Sequence, residues 1–523
     1  MTTDIGAFLD AHALRPELLA VGEPTHGEPA LPQLRNELFE ALAERGFRSI
    51  ALESDRVAGL IADAFAQGER DDFTGGISHG FGDYPANRDL LVWMREYNAT
   101  RPASERLTFY GFDAPLETMS APSPRAYLQY AHDFLGRDGW PEIDRLLGPD
   151  ERWSDTAAIM DFSRSVGLSA DARALRVIAD DVLFALWTQA SRSAGDVTGW
   201  RRAELNAEAA LGLLRYHAQA AEELPQAERI ARLSAVRDTM MARNLLTIRA
   251  IEADRGPTLV FAHNSHLQRN PATWSLGGMQ VEVTGAGSIV GALLGDRYVF
   301  IAGSLGASPV LGIPAPPPET IEGRLPYGLS SATDVQTTTP RAGMQIYFPL
   351  DADILAAADG VLHVDTGWDQ ATLADRILAL PGVDQLVASE ENGAPQGSWG
   401  DRFFYVGPDR RRPFATIVEH DVPGFDEDSR LNRPGVFRLN VELGRTEFAR
   451  RFGFEPARFE EHRGEFDFAR TDRLVPHPGY ALHGWASVVV PGPHLRDDLD
   501  ALLAHAHARA VDRHERAGRR LAG

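Results

Sequence analysis

Short apolar runs rich in β-branched and aromatic residues recur at 17–21, 49–52, 107–112 and 258–262, with stretches of helical periodicity between them. Such alternation predicts strands joined by helices and packed as a parallel α/β sheet. Between the first two runs, Leu31, Leu34, Leu38 and Leu42 fall on one face at helical spacing. Pro29 stands near the first turn, where a missing N–H leaves no helical bond unmade. These residues predict one strand–loop–helix–strand unit.

From about 121 to 255 the strand signal nearly vanishes. Leu175, Ile178, Val182, Leu183 and Leu186 make one helical stripe, and Leu205, Leu211, Leu214, Leu245, Leu246 and Ile248 continue in the same style. This segment is expected as a helical cap that interrupts the sheet, sits over one end of it and walls a large pocket. Further strands are expected at 281–283, 298–301 and 360–364, with a helical piece at 355–358. The stretch containing Pro314, Pro316, Pro317, Pro318 and Pro340 reads as a long loop, lid or linker. The first domain is expected to span 1–367, ending near Gly367. The remainder, 368–523, reads as a separate α+β domain: a helix at 371–380, strands at 403–406, 415–418 and 436–443, a helix at 446–452, a strand at 485–490 and a final helix from 495 to about 519.

Composition narrows the chemistry. A chain of 523 residues exceeds any single small module, and 44% hydrophobic with 24% charged residues is a globular balance. The net charge of −22 opposes any phosphate-binding surface, so nucleic acid is not an expected partner. There is no Cys, which excludes a disulfide framework, a thiolate metal cluster and a Cys nucleophile. The opening residues lack a basic leader followed by an apolar stretch, and no run of about 18 apolar residues could span a bilayer. A cytoplasmic protein without membrane association is expected.

Candidate chemistry gathers after the strands. In open α/β sheets, ligands bind just beyond the carboxyl ends of the strands. The first run is followed by Gly22, Glu23, Pro24, Thr25, His26, Gly27 and Glu28; the second by Glu53, Ser54 and Asp55; the third by Asp113; the fourth by His263, Asn264, Ser265 and His266. A polar residue after a strand ordinarily caps the next helix. Four such segments meeting at one sheet edge would instead set acids beside imidazoles, a pairing suited to general acid–base work with water as nucleophile. His26, in a Gly-flanked loop ahead of a helix, is the candidate base. Arg35, nine residues on, faces either the pocket rim or solvent. Carboxylates and imidazoles also suit zinc or manganese, so Glu23, His26, Glu53, His263 and His266 could alternatively hold a metal, although no His-Glu-x-x-His pattern is present.

These segments, Gly22-Glu23-Pro24-Thr25-His26-Gly27, Arg35, Glu53-Ser54-Asp55, Gly111-Phe112-Asp113 and His263-Asn264-Ser265-His266, resemble in order and spacing the erythromycin esterase family over about residues 1–367. The resemblance implies an α/β core with a helical cap, and an ester hydrolase that opens the macrolactone of erythromycin-like antibiotics and so confers macrolide resistance. It further implies His26 as the base activating water without an acyl-enzyme, Glu23 and Glu53 orienting it, Arg35 and His263 assisting, and His266, Asp55, Asp113 and Asn264 lining the substrate site. No cofactor is implied, a metal remaining the alternative because wider kin include metal-dependent members. Two other readings stand beside this one: a non-catalytic protein that sequesters a small molecule in the same cleft, and a metal-dependent hydrolase of other substrates. The tail resembles an uncharacterised family of small α+β domains related loosely to MmcQ/YjbR-like proteins, through segments such as Gly400-Asp401-Arg402-Phe403-Phe404-Tyr405 and Arg433-Pro434-Gly435-Val436-Phe437. Phe437, Tyr480 and Trp485 are expected in its core, and its charge-rich last helix as a solvated face.

Overall fold

The fold is that of a computed structural model, which describes residues 5–522 apart from 118, 119, 277, 309, 336, 345, 365, 367–369, 408, 409, 411, 423, 425, 433–435, 493 and 494. The expected domain border at Gly367 and the segment 433–435 of the tail therefore lie outside the described residues. The chain divides into two compact units, Met1–Ser304 with Gly328–Leu362, and Leu305–Tyr327 with His363–Gly523.

In the first, strands β1 (Leu18–Glu23), β2 (Ser49–Asp55), β3 (Thr108–Asp113), β4 (Thr258–His263), β7 (Tyr298–Leu305), β8 (Gly328–Ser331) and β9 (Gly360–Val364) form a seven-stranded sheet in the order β3-β2-β4-β1-β7-β9-β8. The pairings β2–β3, β2–β4, β1–β4 and β1–β7 are all parallel. Every residue of β1 and β4 is buried, as expected of central strands covered on both faces. The helix Ala30–Glu44 joins β1 to β2 and buries Leu31, Leu34, Leu38 and Leu42, the stripe read from sequence. A separate antiparallel hairpin, β5 (Ala272–Leu276) with β6 (Met279–Val283), takes up the strand expected at 281–283, which is thus no part of the main sheet. The Pro-rich stretch contains the short helix Ile321–Arg324 and the edge strand β8, which its turn-rich composition concealed.

The helical insertion comprises Arg125–Leu135, Trp140–Leu147, Ala170–Thr188, Val197–Ala220 and Gln226–Ile251. Leu128, Leu147, Leu175, Leu186, Leu211 and Leu214 close its own core around the buried ring of Trp153. The last helix touches the sheet: Asn244 Nδ2 donates to the Phe112 carbonyl at the end of β3.

Two close approaches explain glycines in the strand-end segments. Asn264 Nδ2 donates to the Gly303 carbonyl and its Oδ1 accepts from Gly303 N–H, clamping the segment after β4 to β7. A Cβ on Gly22 would stand 2.0 Å from Asn264 Oδ1, so this clamp closes only over a bare backbone. On Gly111 a Cβ would stand 2.3 Å from the Asp55 carbonyl oxygen.

In the second unit, β10 (Val383–Val387), β11 (Arg402–Val406), β12 (Ala415–Val418), β13 (Arg438–Glu442), β14 (Val475–Pro476) and β15 (Trp485–Val489) make an antiparallel sheet in the order β10-β11-β12-β13-β15-β14. The helices Gln370–Leu378 and Arg496–Ala522 pack Leu373, Ile377, Leu499, Leu502 and Leu503 into its core. Phe437 is buried as expected, Trp485 is half-buried, and Tyr480 is 43% exposed and not part of the core. The last helix is not simply a solvated face: its Arg513 pairs with buried Glu442 at 2.5 Å. Among the described residues, no helix is long and apolar enough to cross a membrane.

Gly22→Ala is expected to destabilise the protein by about 1–3 kcal/mol, the usual cost of forcing extra volume into a packed site. Urea unfolding of the variant against the parent checks it, and an unchanged midpoint would mean that the Asn264 clamp is dispensable.

Candidate active site

The strand order sets the site. β4 lies between β1 and β2, and its register places His263 directly beside Glu23. With neighbouring strands about 4.8 Å apart, the ends of three adjacent strands fit within one site. The β2–β3 pairing shifts register between Leu52 and Asp55, an irregularity that re-aims the end of β2 at Glu53.

Glu53 is the hub of the resulting cluster. Its Oε2 accepts the His263 backbone N–H at 2.9 Å. Its Oε1 faces Arg237 Nη2 at 3.1 Å, His266 Nε2 at 3.4 Å and His26 Nε2 at 3.9 Å. His26 Nδ1 lies 2.7 Å from Glu23 Oε1, and the far side of His266 bonds Asp238 Oδ1 through Nδ1 at 2.8 Å. Carboxylates and imidazoles thus alternate from Asp238 through His266, Glu53 and His26 to Glu23. Phe81 packs against the His26 ring with centroids 5.1 Å apart, and Phe348 meets His263 edge-on at 4.8 Å.

Environment gives the three imidazoles different charges. Burial opposes charge on His266, but Asp238 and Glu53 outweigh it and push the pKa up to about 10, so this ring is a cation at neutral pH. Burial, joined by the charge of His26, brings His263 down to about 3. Ser265 N–H donates to its Nδ1, so neutral His263 carries its proton on Nε2. Burial also disfavours charge on His26, yet Glu53 and Glu23 together raise its pKa above the ordinary value. Glu53 itself, despite burial, is held well below the carboxylate range by His266, His26 and Arg237.

Strand-end reading brings together Glu23, His26, Glu53, His263 and His266. Asp113 joins them through Arg237, which donates from Nε and Nη2 to Asp113 while bonding Glu53; despite burial, the Arg237 charge leads in holding the Asp113 carboxyl at about 2. His79 Nε2 bonds the same carboxylate at 2.9 Å. The remaining expected residues each have partners of their own. Arg35 is buried beside the cluster, lining a small pocket with Glu23, Glu53 and Phe81, with its guanidinium on Asn36 Oδ1 and 5.2 Å from the Phe261 ring centroid; burial lowers its pKa to about 9 while Glu23 opposes the shift. Asn264 is occupied by the Gly303 clamp. Asp55 accepts from Val57 N–H at 2.7 Å and burial raises its carboxyl to about 6.

Sequence reading did not find Arg237, Asp238 or His79. Asp238 carried a signal: it shares a helix face with Met241, Leu245 and Ile248, and an acid on an apolar stripe, here 1% exposed, calls for a partner. His79 sits in a loop with φ +60, flanked by Gly80 at +71, and nothing in its spacing links it to Asp113.

Among the described residues, no group of three or more His, Asp or Glu side chains is arranged to hold a metal ion. His26 and His266 are instead each engaged by carboxylates.

A parallel α/β core, a helical cap reaching its strand ends and a buried acid–imidazole cluster together define the class of the first unit. The chain belongs to the erythromycin esterase family, whose pattern matches residues 42–365. Residues 368–519 match a family of unknown function, DUF6194. No curated protein matches the chain. A Bacillus cereus protein of known crystal structure is similar in fold, with 16% identity and a TM-score of 0.52 over 70% of this chain and 92% of that one. A mutant of the erythromycin esterase EreC in its open conformation is likewise similar, with 16% identity and a TM-score of 0.50 over 69% of this chain and 94% of the other.

The folded state holds the His266 proton up to about pH 10, whereas the unfolded chain releases it near 6.5. The His266 contribution to stability is therefore fully present below about pH 6.5 and is lost as pH rises towards 10. Thermal melts across that window should show a steeper decline for the parent than for His266→Gln, and identical slopes would refute the assignment of a charged His266.

Proposed function

We propose that the first unit hydrolyses a carboxylic ester, a macrolactone in the manner of its family, with His26 as the base that activates water. The observation that carries this reading is the accessibility of His26 within the cluster: its side chain is 37% exposed, whereas those of Glu23 and Glu53 are 10% and 6%. It is the imidazole that a substrate can approach while carboxylates hold it from behind.

Neutral His26 must donate Nδ1–H to Glu23, which leaves the Nε2 lone pair as proton acceptor. As water attacks the carbonyl carbon, one of its protons moves to Nε2 and the carbonyl electrons move onto oxygen. Glu53, 3.9 Å away, stabilises the imidazolium so formed. The Nε2 proton then passes to the departing alkoxide as the C–O bond breaks, giving acid and alcohol with His26 neutral again. Arg237, 24% exposed and bonded to Glu53, is assigned to the developing oxyanion. Arg35, being buried beside Glu23, is assigned to positioning that carboxylate rather than touching substrate.

A panel of macrolides and simple esters tests the activity. On a substrate that is turned over, His26→Ala should lower kcat by roughly 10²–10⁴-fold, the range for loss of a positioned base. Full activity in that variant would remove His26 from the mechanism.

The pH profile is a separate check. The base works only when neutral, and its pKa is raised, so activity should climb with pH along a limb centred above 6.5. Glu23→Gln, by removing one of the two acids that favour the cation, should move this limb to lower pH; a limb that stays put would break the proposed Glu23–His26 coupling.

A further inference from the structure

His79 is an imidazole beside the cluster that the hydrolytic step does not use. Its side chain is 8% exposed, with Nε2 2.9 Å from Asp113 Oδ2 and Nδ1 3.1 Å from Glu117 Oε2. Ionised carboxylates accept hydrogen bonds and cannot donate them, so a ring held between two of them donates from both nitrogens and is a cation. Burial disfavours that charge, but the bond to Asp113 outweighs it and raises the pKa above the ordinary value. The charged groups facing the ring are Asp113 and Glu117 on one side, Asp55 at the end of β2 and Arg237 of the cap.

The backbone is held as firmly as the ring. Ser78 N–H donates to Ser54 Oγ at 2.9 Å, Asp55 N–H donates to Ser78 Oγ at 2.8 Å, and His79 N–H donates to Glu117 Oε1 at 3.3 Å. A φ of +60 is strained for a residue with a Cβ and persists only where surrounding bonds over-determine it.

His79 also completes a line of alternating charge. From Asp238 the line runs through His266, Glu53, Arg237 and Asp113 to His79 and Glu117. Arg237 by itself would be one cation between two acids; His266 compensates Glu53 on one side and His79 compensates Asp113 on the other. The Nε and Nη2 of Arg237 are committed to those acids, and its Nη1 has no partner among the described residues, in a side chain that is 24% exposed.

We infer that His79 is a positioning residue: as the second cation on Asp113, it keeps Arg237 from being drawn wholly onto that carboxylate, so that the guanidinium also serves Glu53 and presents Nη1 to the substrate oxygen. The role towards substrate rests on the ester-hydrolase reading above, whereas the charge of His79 and its hold on Arg237 do not.

His79→Gln, which removes the charge and keeps one donor for Asp113, tests this in the full chain by three measurements. The first is thermal melting between about pH 6 and pH 9. With its folded-state pKa raised, the His79 contribution to stability is fully present below about pH 6.5 and is lost as pH rises through the folded value, so the gap in midpoint between parent and variant should narrow with rising pH. A gap of constant size would make His79 an uncharged structural residue and overturn the inference. The second needs no substrate. Diethyl pyrocarbonate acylates neutral imidazole, and the pH dependence of His26 labelling, read by peptide mass spectrometry, follows the protonation of that ring. With Arg237 drawn away from Glu53, the acids around His26 are less compensated, and the labelling limb should move up by about half a pH unit or more in His79→Gln; an unmoved limb overturns the inference. The third applies to any ester that the parent turns over: kcat should fall roughly tenfold or more with KM changed less than about threefold, the signature of support given only in the transition state. Undiminished kcat overturns it as well. A parent that hydrolyses no ester would refute the hydrolase reading alone, since the melts and the labelling still decide the charge of His79 and its hold on Arg237. Should His79→Gln not fold, His79→Gly, whose backbone accepts a positive φ without strain, carries the same measurements; failure of both to fold would make His79 structural and overturn the inference.

Discussion

One buried carboxylate organises the first unit. Glu53 receives a backbone N–H from β4 on one oxygen and faces a guanidinium and two imidazoles with the other. An ionised carboxylate out of water is tolerable only when paired and hydrogen-bonded, so the partners of Glu53 follow from its burial. Strand order supplies His263, the HNSH turn supplies His266, the loop after β1 supplies His26, and the cap supplies Arg237. Each ring then takes the charge that its own second neighbour dictates. Asp238 makes His266 a cation, the apolar contact with Phe348 and the Ser265 N–H suit a neutral His263, and Glu23 biases His26 towards the cation without enclosing it.

How much of this could be read from the sequence follows from where each interaction lies along the chain. Glu23, His26, Glu53, His263 and His266 were legible because each follows an apolar run, and a parallel sheet delivers all such ends to one edge. The stripe Leu31, Leu34, Leu38 and Leu42 was legible for the same local reason. Arg237 sits mid-helix, where a charge ordinarily reads as part of a solvated face, and Asp238 was marked only by the apolar stripe it shares; the docking of that helix on the strand ends gives both their partners. Asn264 and Asp55 adjoin the motif residues, yet their polar atoms turn to backbone groups, a choice that depends on a glycine two strands away and on a local turn. Helical spacing alone left Arg35 at the rim or in solvent, and the packing of helix on sheet buries it beside Glu23.

The second unit shows the same limits in another form. Its central strands carry strong apolar alternation and were found, whereas half-exposed β10 and two-residue β14 offer too little periodicity to register. Glu442, on β13, is buried between Arg412 at 2.9 Å and Arg513 of the last helix at 2.5 Å. A helix that reads as a solvated basic surface thus tethers itself to the sheet by charge as well as by its leucines.

The cap contributes more than walls. Asp238 and Arg237 are neighbours on one helix, and they fix the proton on His266 and the charge on Glu53 from above the sheet. Any displacement of that helix which separated both pairs would leave Glu53 without its guanidinium and His266 without one of its two acids, lowering the proton affinity of that ring. Were the cap to move in this way, opening would be favoured at a pH where His266 would rather be neutral, and closing would take up a proton from solvent.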